Sequence, residues 1–166
     1  MKVYHNFKPV YNKHSKILIL GSMPSSISRE KEFYYANKNN RFWPIFETLF
    51  HVKLNSNKDK EKFLLLNKIA LWDVIKECDI TGSSDSSIKN VKVNDINKIT
   101  KESEINTIFV TGKTALKYYN QYLKETIKKD AIYLPSPSSA NASFQLEQLV
   151  KEYKVILDYL NQWFLG

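Results

Sequence analysis

Lys16-Ile17-Leu18-Ile19-Leu20, followed at once by Gly21-Ser22-Met23-Pro24-Ser25-Ser26, is the stretch on which the fold turns. A strand with one face in water alternates apolar and polar residues. An unbroken aliphatic run requires cover on both faces, which is how strands of a parallel sheet are buried. Three more runs share this character: Ile69-Ala70-Leu71-Trp72, Asn106-Thr107-Ile108-Phe109-Val110 and Ala131-Ile132-Tyr133-Leu134. Between them, apolar residues recur three or four apart over 42–50, 59–67, 94–102 and 114–126, and over a longest stretch, 141–164. Strand and helix alternate. The pattern predicts one α/β domain over 1–166, a three-layer α/β/α sandwich with a central, mainly parallel four-stranded sheet and right-handed crossovers. Ligands of such sheets meet the loops at the carboxyl ends of the strands.

Composition narrows the function classes. The chain has 166 residues, 43% of them hydrophobic and 25% charged, a balance that suits one globular core. No run approaches the ~18 to 20 apolar residues of a membrane span, and the start, Met1 to Lys16, lacks the apolar core of a signal peptide. The expectation is a cytoplasmic monomer with no membrane partner. Cys78 is the single cysteine, so it forms no internal disulfide and supplies no four-cysteine cluster. His5, His14 and His51 are far apart, without partners at ligand spacing, so neither a metal site nor a cofactor is expected. A net charge of +8 suits a polyanionic partner, although all the basic residues except Arg29 and Arg41 are lysines in an Asn-rich chain. Ten Tyr, nine Phe and three Trp serve base stacking or core packing equally well.

The strand ends carry the distinctive residues. Gly21 to Ser26 can present amides and hydroxyls to an anion, yet has neither the lysine of a phosphate-binding loop nor a dinucleotide glycine pattern. Phe33 to Pro44 crowds aromatics, asparagines and two cations before a helix; it either lines a polar ligand or anchors a loop through Tyr34, Phe42 and Trp43. Asp73 either orients a ligand or, as we expect, caps a helix. Cys78 has no histidine partner and no nucleophile elbow surrounds any serine, so Cys78 is expected to be a small core residue. In Leu134-Pro135-Ser136-Pro137-Ser138-Ser139-Ala140-Asn141-Ala142 two prolines stiffen a serine loop that offers donors to a phosphate or caps a helix.

In order, Leu18 to Ser25, Tyr34-Tyr35 with Asn40 to Trp43, Ala70 to Ile75, Gly82 to Ile88 with Asn94-Asp95, Val110 to Gly112 and Leu134 to Ala142 resemble the uracil-DNA glycosylase superfamily, and most closely its hypoxanthine-DNA glycosylase branch. The resemblance covers about 16 to 142. It implies excision of a deaminated base from double- or single-stranded DNA, without metal or cofactor. Asn40 would be the catalytic asparagine and Phe42 the aromatic stacked on the base. Gly21, Ser22 and Met23 would hold the base with Thr111 at its edge. Pro24, Ser25 and the loop of Pro135, Ser136, Pro137, Ser138, Ser139 and Asn141 would hold DNA. Lys38-Asn39 replaces the family's Pro-Arg, which makes Asn39 the rival of Asn40. Pro137 and Ser139 replace the branch's Thr and Pro, which keeps uracil or G:U and G:T mispairs open as substrates. A non-catalytic nucleic-acid-binding module is the reading from another class.

An amide is not basic near neutral pH. Asn40 is therefore expected to hold the attacking water under C1' and not to abstract a proton. The base must first leave the duplex stack, which costs least at mispaired lesions.

Overall fold

In the computed structural model, which describes residues 1–82 and 84–161, two sheets form. The short β1 (Lys2–Tyr4) precedes β2 (Ile17–Gly21), and β3 (Ile69–Asp73) runs directly into β4 (Ile75–Asp79). They are followed by β5 (Lys89–Val93), β6 (Thr107–Thr111) and β7 (Ala131–Leu134). The larger sheet has the order β3-β2-β6-β7, every pair parallel, and its register aligns Ile17 with Ile69 and Thr107. The four apolar runs are thus its four strands.

Every residue of β2 is buried, and its side chains divide by parity. Ile17 and Ile19 join one apolar cluster with residues of α2 (Phe42–Phe50), α3 (Asn57–Leu66), α7 (Leu146–Tyr153) and α8 (Val155–Leu160). Leu18 and Leu20 join another with residues of α4 (Ile96–Lys101) and α5 (Lys113–Tyr122) and of the smaller sheet. Each such side chain, fully buried, contributes ~1.5 to 3 kcal/mol. The continuous pattern is therefore the imprint of three layers, as expected. Two further helices, α1 (Ser26–Lys31) and α6 (Lys124–Ile127), follow β2 and α5.

The smaller sheet, order β1-β4-β5, is antiparallel throughout and was not expected. It corrects the place of Asp73, which caps no helix: the chain leaves β3 and enters β4 with only Val74 between them. Val74 and Ile75 donate their N–H groups to the carbonyls of Gly21 and Ser22, at 2.8 and 3.0 Å. Buried Asn94 fastens the same crossing, its Nδ2 donating to the carbonyls of Asp73 (2.9 Å) and Ile75 (3.2 Å).

The long helix expected over 141–164 is shorter and broken. It starts at Leu146, where Gln148 Oε1 accepts from the Gln145 N–H at 2.7 Å, and Lys154 separates α7 from α8. Phe164 lies outside the described residues. The stretch 114–126 likewise divides at Leu123 into α5 and α6. Cys78 is a buried core residue of β4, and burial raises its thiol pKa.

Candidate active site

A cavity of about 710 Å³ opens where β2, β3 and β6 end, bounded by the loop that follows β7. That is within the ~300 to 1,000 Å³ usual for ligand sites. Gly21, the last residue of β2, stands at its floor. A Cβ there would lie 2.5 Å from Asp73 Oδ1 and 3.0 Å from the Tyr35 hydroxyl oxygen. Only a glycine lets these two polar side chains close over the strand end.

Asp73 is held from a distant part of the chain. β1 pairs with β4, the His5 N–H donates to the Lys76 carbonyl at 2.8 Å, and the imidazole is thereby laid against β3. His5 Nε2 sits 2.8 Å from Asp73 Oδ2, and the two side chains are 1% and 6% exposed. One carboxylate oxygen is thus engaged by His5 while the other lies over Gly21. His5 Nδ1 is buried without a partner among the described residues.

Thr111, at the end of β6, is 7% exposed, and its Oγ1 lies 3.3 Å from the Tyr35 hydroxyl. Tyr35 has φ of 52°, in the left-handed region, a conformation that costs a bulky residue ~1 to 3 kcal/mol. The strain turns its ring toward the cavity. Burial, and then the Asp73 charge, raise the Tyr35 hydroxyl pKa, against a smaller opposing effect of the Thr111 hydrogen bond. The phenol therefore stays neutral and able to donate.

Phe42 requires a correction. It is fully buried and does not line the cavity, because α2 begins at this residue and turns it into the core. Tyr35 lies flat upon it, ring centroids 3.9 Å apart and planes at 9°. Tyr35 lines the cavity, as Tyr34 and Tyr133 also do, and Phe42 is its backing.

Asn40 lines the cavity. Its Oδ1 accepts from the Phe42 N–H at 2.8 Å, and its own N–H donates to the Asn37 carbonyl at 2.9 Å. The amide is oriented by the helix start, and Oδ1 keeps a second lone pair. Asn39 is exposed, does not line the cavity, and gives its N–H to Asn37 Oδ1 at 2.8 Å.

Ser22, Met23, Pro24 and Ser25 line the wall beyond Gly21. Pro24 is buried and its carbonyl accepts from Arg29 Nη1 at 2.7 Å. Ser25 caps α1, accepting from the Ser28 N–H at 3.2 Å and donating its hydroxyl to Ser28 Oγ at 3.3 Å. Its hydroxyl proton is therefore already committed within the fold.

The opposite wall is the loop after β7. Pro135 and Pro137 are buried and stiffen the loop from within; of the two, Pro137 lines the cavity and Pro135 does not. The Pro135 carbonyl accepts from the Tyr153 hydroxyl at 2.6 Å. Ser136 and Ser138 fold the loop on itself, their hydroxyls accepting from the Ser138 and Ala140 N–H groups, and Asn141 Nδ2 donates to the Ser136 carbonyl. Ser139 and Ala140 are its exposed crest. Gly112, φ 92°, lets β6 pass this loop; a Cβ would meet that of Ser136 at 3.3 Å. On the third side Asp85 lines the cavity, its carboxyl pKa raised by burial against the opposing Thr114 hydrogen bond.

His5, Asn37 and Arg41 escaped the sequence reading of the site, Asp73 was expected to cap a helix in preference to orienting a ligand, and Tyr35 entered only as part of a motif. Their partners lie far off in the chain or on the main chain, which no local pattern reveals. Among the described residues no group of three or more His, Cys, Asp or Glu side chains is placed to hold a metal ion, and no helix is long and apolar enough to cross a membrane.

Comparison with known proteins agrees with this architecture. The family model of the uracil DNA glycosylase superfamily matches residues 8–161. A hypoxanthine DNA glycosylase of Methanosarcina acetivorans is 34% identical over 146 residues, covering 86% of this chain and 90% of that protein. One from Methanosarcina barkeri is 37% identical over 90 residues, 53% of this chain and 57% of the other. The solution NMR structure of an M. acetivorans protein provisionally named a uracil DNA glycosylase superimposes with a TM-score of 0.82 at 31% identity, covering 97% of this chain and 99% of that one. The resemblance carried by the strand-end motifs thus extends over nearly the whole length, and the chain belongs to the uracil DNA glycosylase superfamily.

Proposed function

We propose that this chain is a monofunctional DNA glycosylase that hydrolyses the N-glycosidic bond of a deaminated base rotated out of DNA, hypoxanthine above all. The observation that carries the reading is the Asn40 amide, oriented by the Phe42 N–H, on the wall of a cavity that also holds the face of Tyr35 and the Asp73 carboxylate. Its partner is lesion-bearing DNA, double- or single-stranded, and we take it to work as a monomer in the cytoplasm.

The chemistry follows from the groups present. The extruded base stacks on the open face of Tyr35, a contact worth ~1 to 3 kcal/mol. Deamination of adenine replaces its amine by a carbonyl and puts a hydrogen on the ring nitrogen that was a lone-pair acceptor. Asp73 Oδ1 accepts from that new N–H, whereas adenine would set its lone pair against the carboxylate. The Thr111 and Tyr35 hydroxyls share one hydrogen bond, which leaves one proton of the pair to donate to the new carbonyl. Rejection of adenine is strong at such a site because its buried polar groups would go unpaired.

Bond breaking places positive charge on the sugar and negative charge on the leaving base, so fixed dipoles matter more than a nucleophile. Asn40 Oδ1 holds the water that attacks C1', its second lone pair taking the water proton as a hydrogen bond. Gly21, Ser22 and Met23 close on the base, and Ser138, Ser139 and Asn141 meet the strand.

Uracil presents the same neighbouring ring N–H and carbonyl, and a 710 Å³ cavity admits it as readily as a purine, so it is the second reading. The test is incubation with oligonucleotides carrying hypoxanthine, xanthine or uracil, abasic sites being revealed by alkali. Hypoxanthine is expected to be released fastest, with a loss of ~100-fold or more in Asn40→Ala and little change in Asn39→Ala. Cleavage of uracil alone would transfer the assignment to the second reading. Failure to act on any lesion, or full activity of Asn40→Ala, would refute the mechanism.

A further inference from the structure

Arg41 lies between the two residues that orient the Asn40 amide, yet neither its side chain nor its main-chain N–H serves that amide. The N–H donates to the Pro137 carbonyl at 3.0 Å. In the side chain, Nε donates to the same carbonyl at 3.3 Å, Nη2 to those of Ser138 and Asn141 at 2.6 and 3.0 Å, and Nη1 to that of Phe144. Four carbonyls from a loop about a hundred residues away converge on one guanidinium. All its hydrogen-bond acceptors among the described residues are main-chain oxygens.

Two physical consequences follow. A guanidinium is a planar fork of five donors, so it fixes the mutual placement of the oxygens it binds, which the single nitrogen of a lysine cannot do. Carbonyl oxygens would also repel a phosphate. With four of them bound to a cation, these oxygens are withdrawn from a phosphate, and a positive charge stands behind the exposed crest at Ser139 and Ala140. Asn40, meanwhile, is held by Phe42 and Asn37, independently of the loop.

We infer that Arg41 is the positioning residue for duplex opening: it holds the loop 135–144 rigid at a fixed height beside the cavity, so that the loop takes the space of the departing nucleotide without a fresh ordering cost. This rests on the glycosylase reading and assigns a separate task within it. Water placement belongs to Asn40, and stabilisation of the opened helix belongs to the Arg41-braced loop. A single strand has no helix to hold open. Loss of Arg41 should therefore weaken action on duplex far more than on single strands, whereas loss of Asn40 should weaken both alike.

The test compares single-turnover rates on one hypoxanthine oligonucleotide, single-stranded and annealed, for wild type, Arg41→Lys, Arg41→Gln and Asn40→Ala, together with amide hydrogen exchange over 136–144. Arg41→Lys keeps the charge and guards against a variant that fails to fold. The expected result is a loss of about tenfold or more on duplex with less than about threefold on the single strand, and faster exchange confined to the loop, since misplacement by ~1 Å is enough for such losses. Equal losses on both substrates, unchanged duplex activity in Arg41→Lys and Arg41→Gln, or unaltered exchange would each overturn the inference. Wild type inert on every lesion while exchange still responds to Arg41 would instead bring down the glycosylase reading, and with it any role in duplex opening.

Discussion

Two walls of the cavity face each other and are built on opposite principles. The floor wall, Gly21, Asp73 and Thr111, stands on strand ends, with its polar groups buried and satisfied by other buried side chains. The loop wall, 135–145, has no strand or helix of its own, keeps Ser139 and Ala140 in water and is held by side chains that reach its carbonyls. Desolvated groups discriminate sharply, because an unmatched partner leaves them unpaired. Exposed groups discriminate weakly but can meet any sequence. The floor suits the reading of one base, and the loop suits a backbone whose sequence is irrelevant.

The contrast is broken most severely at Gly21. In Gly21→Ala the new methyl group stands 2.5 Å from Asp73 Oδ1, so the carboxylate must leave its place or the strand must bend. We expect a loss of ~100-fold or more in base release, single- and double-stranded substrates alike, measured under single turnover. A loss restricted to duplex would assign the floor a role that belongs to the loop.

Next in size is His5→Ala, which leaves a buried carboxylate without its partner. The cost to folding is ~3 kcal/mol, read from urea unfolding, and discrimination against adenine should fall as the carboxylate loses its fixed orientation. Unchanged stability would mean that the pair at 2.8 Å contributes nothing net.

This pair also shows where sequence reasoning stops. β2, β3 and β6 were legible because burial on both faces leaves a strand with few polar residues, and β7, at the sheet edge with Tyr133 exposed, was legible from its short apolar run. In the smaller sheet, β4 buries only Ile75 and Cys78, three apart, and β5 is mostly exposed, so pairing with neighbours makes these strands and no apolar run announces them. Without β1 against β4, nothing connects His5 with Asp73, 68 residues later, and an aspartate after a strand reads as a helix cap. Asn40 was visible as one of two adjacent asparagines, and the direction of the turn at Asn37 distinguishes them. That Tyr35 lines the cavity and Phe42 does not was not visible, since Tyr35 adopts a positive φ that no local pattern announces.

On the loop wall a smaller effect is expected from Tyr153→Phe. It removes the donor from the buried Pro135 carbonyl and should lower stability by ~1 to 3 kcal/mol. Base release should fall on duplex more than on single strands, as for Arg41→Lys but less. Should Tyr153→Phe equal Arg41→Lys in both measurements, the loop would be one cooperative unit, and the guanidinium would have no special part in it.

Ser139→Ala should do least, and the form of its small effect is informative. The hydroxyl is exposed and neutral, so its contact with a phosphate releases no condensed counterion. Affinity for a lesion duplex should drop by no more than about threefold, and the slope of log affinity against log salt should stay as in the wild type. Lys113, exposed at the cavity rim, provides the control: each cation that neutralises a phosphate contributes ~0.9 to that slope, so Lys113→Gln should flatten it by about that amount. If Ser139→Ala changed the slope instead, the loop would be ordering a cation against the DNA. The division between a wall that reads the base and a wall that meets DNA whatever its sequence would then have to be redrawn around Arg41.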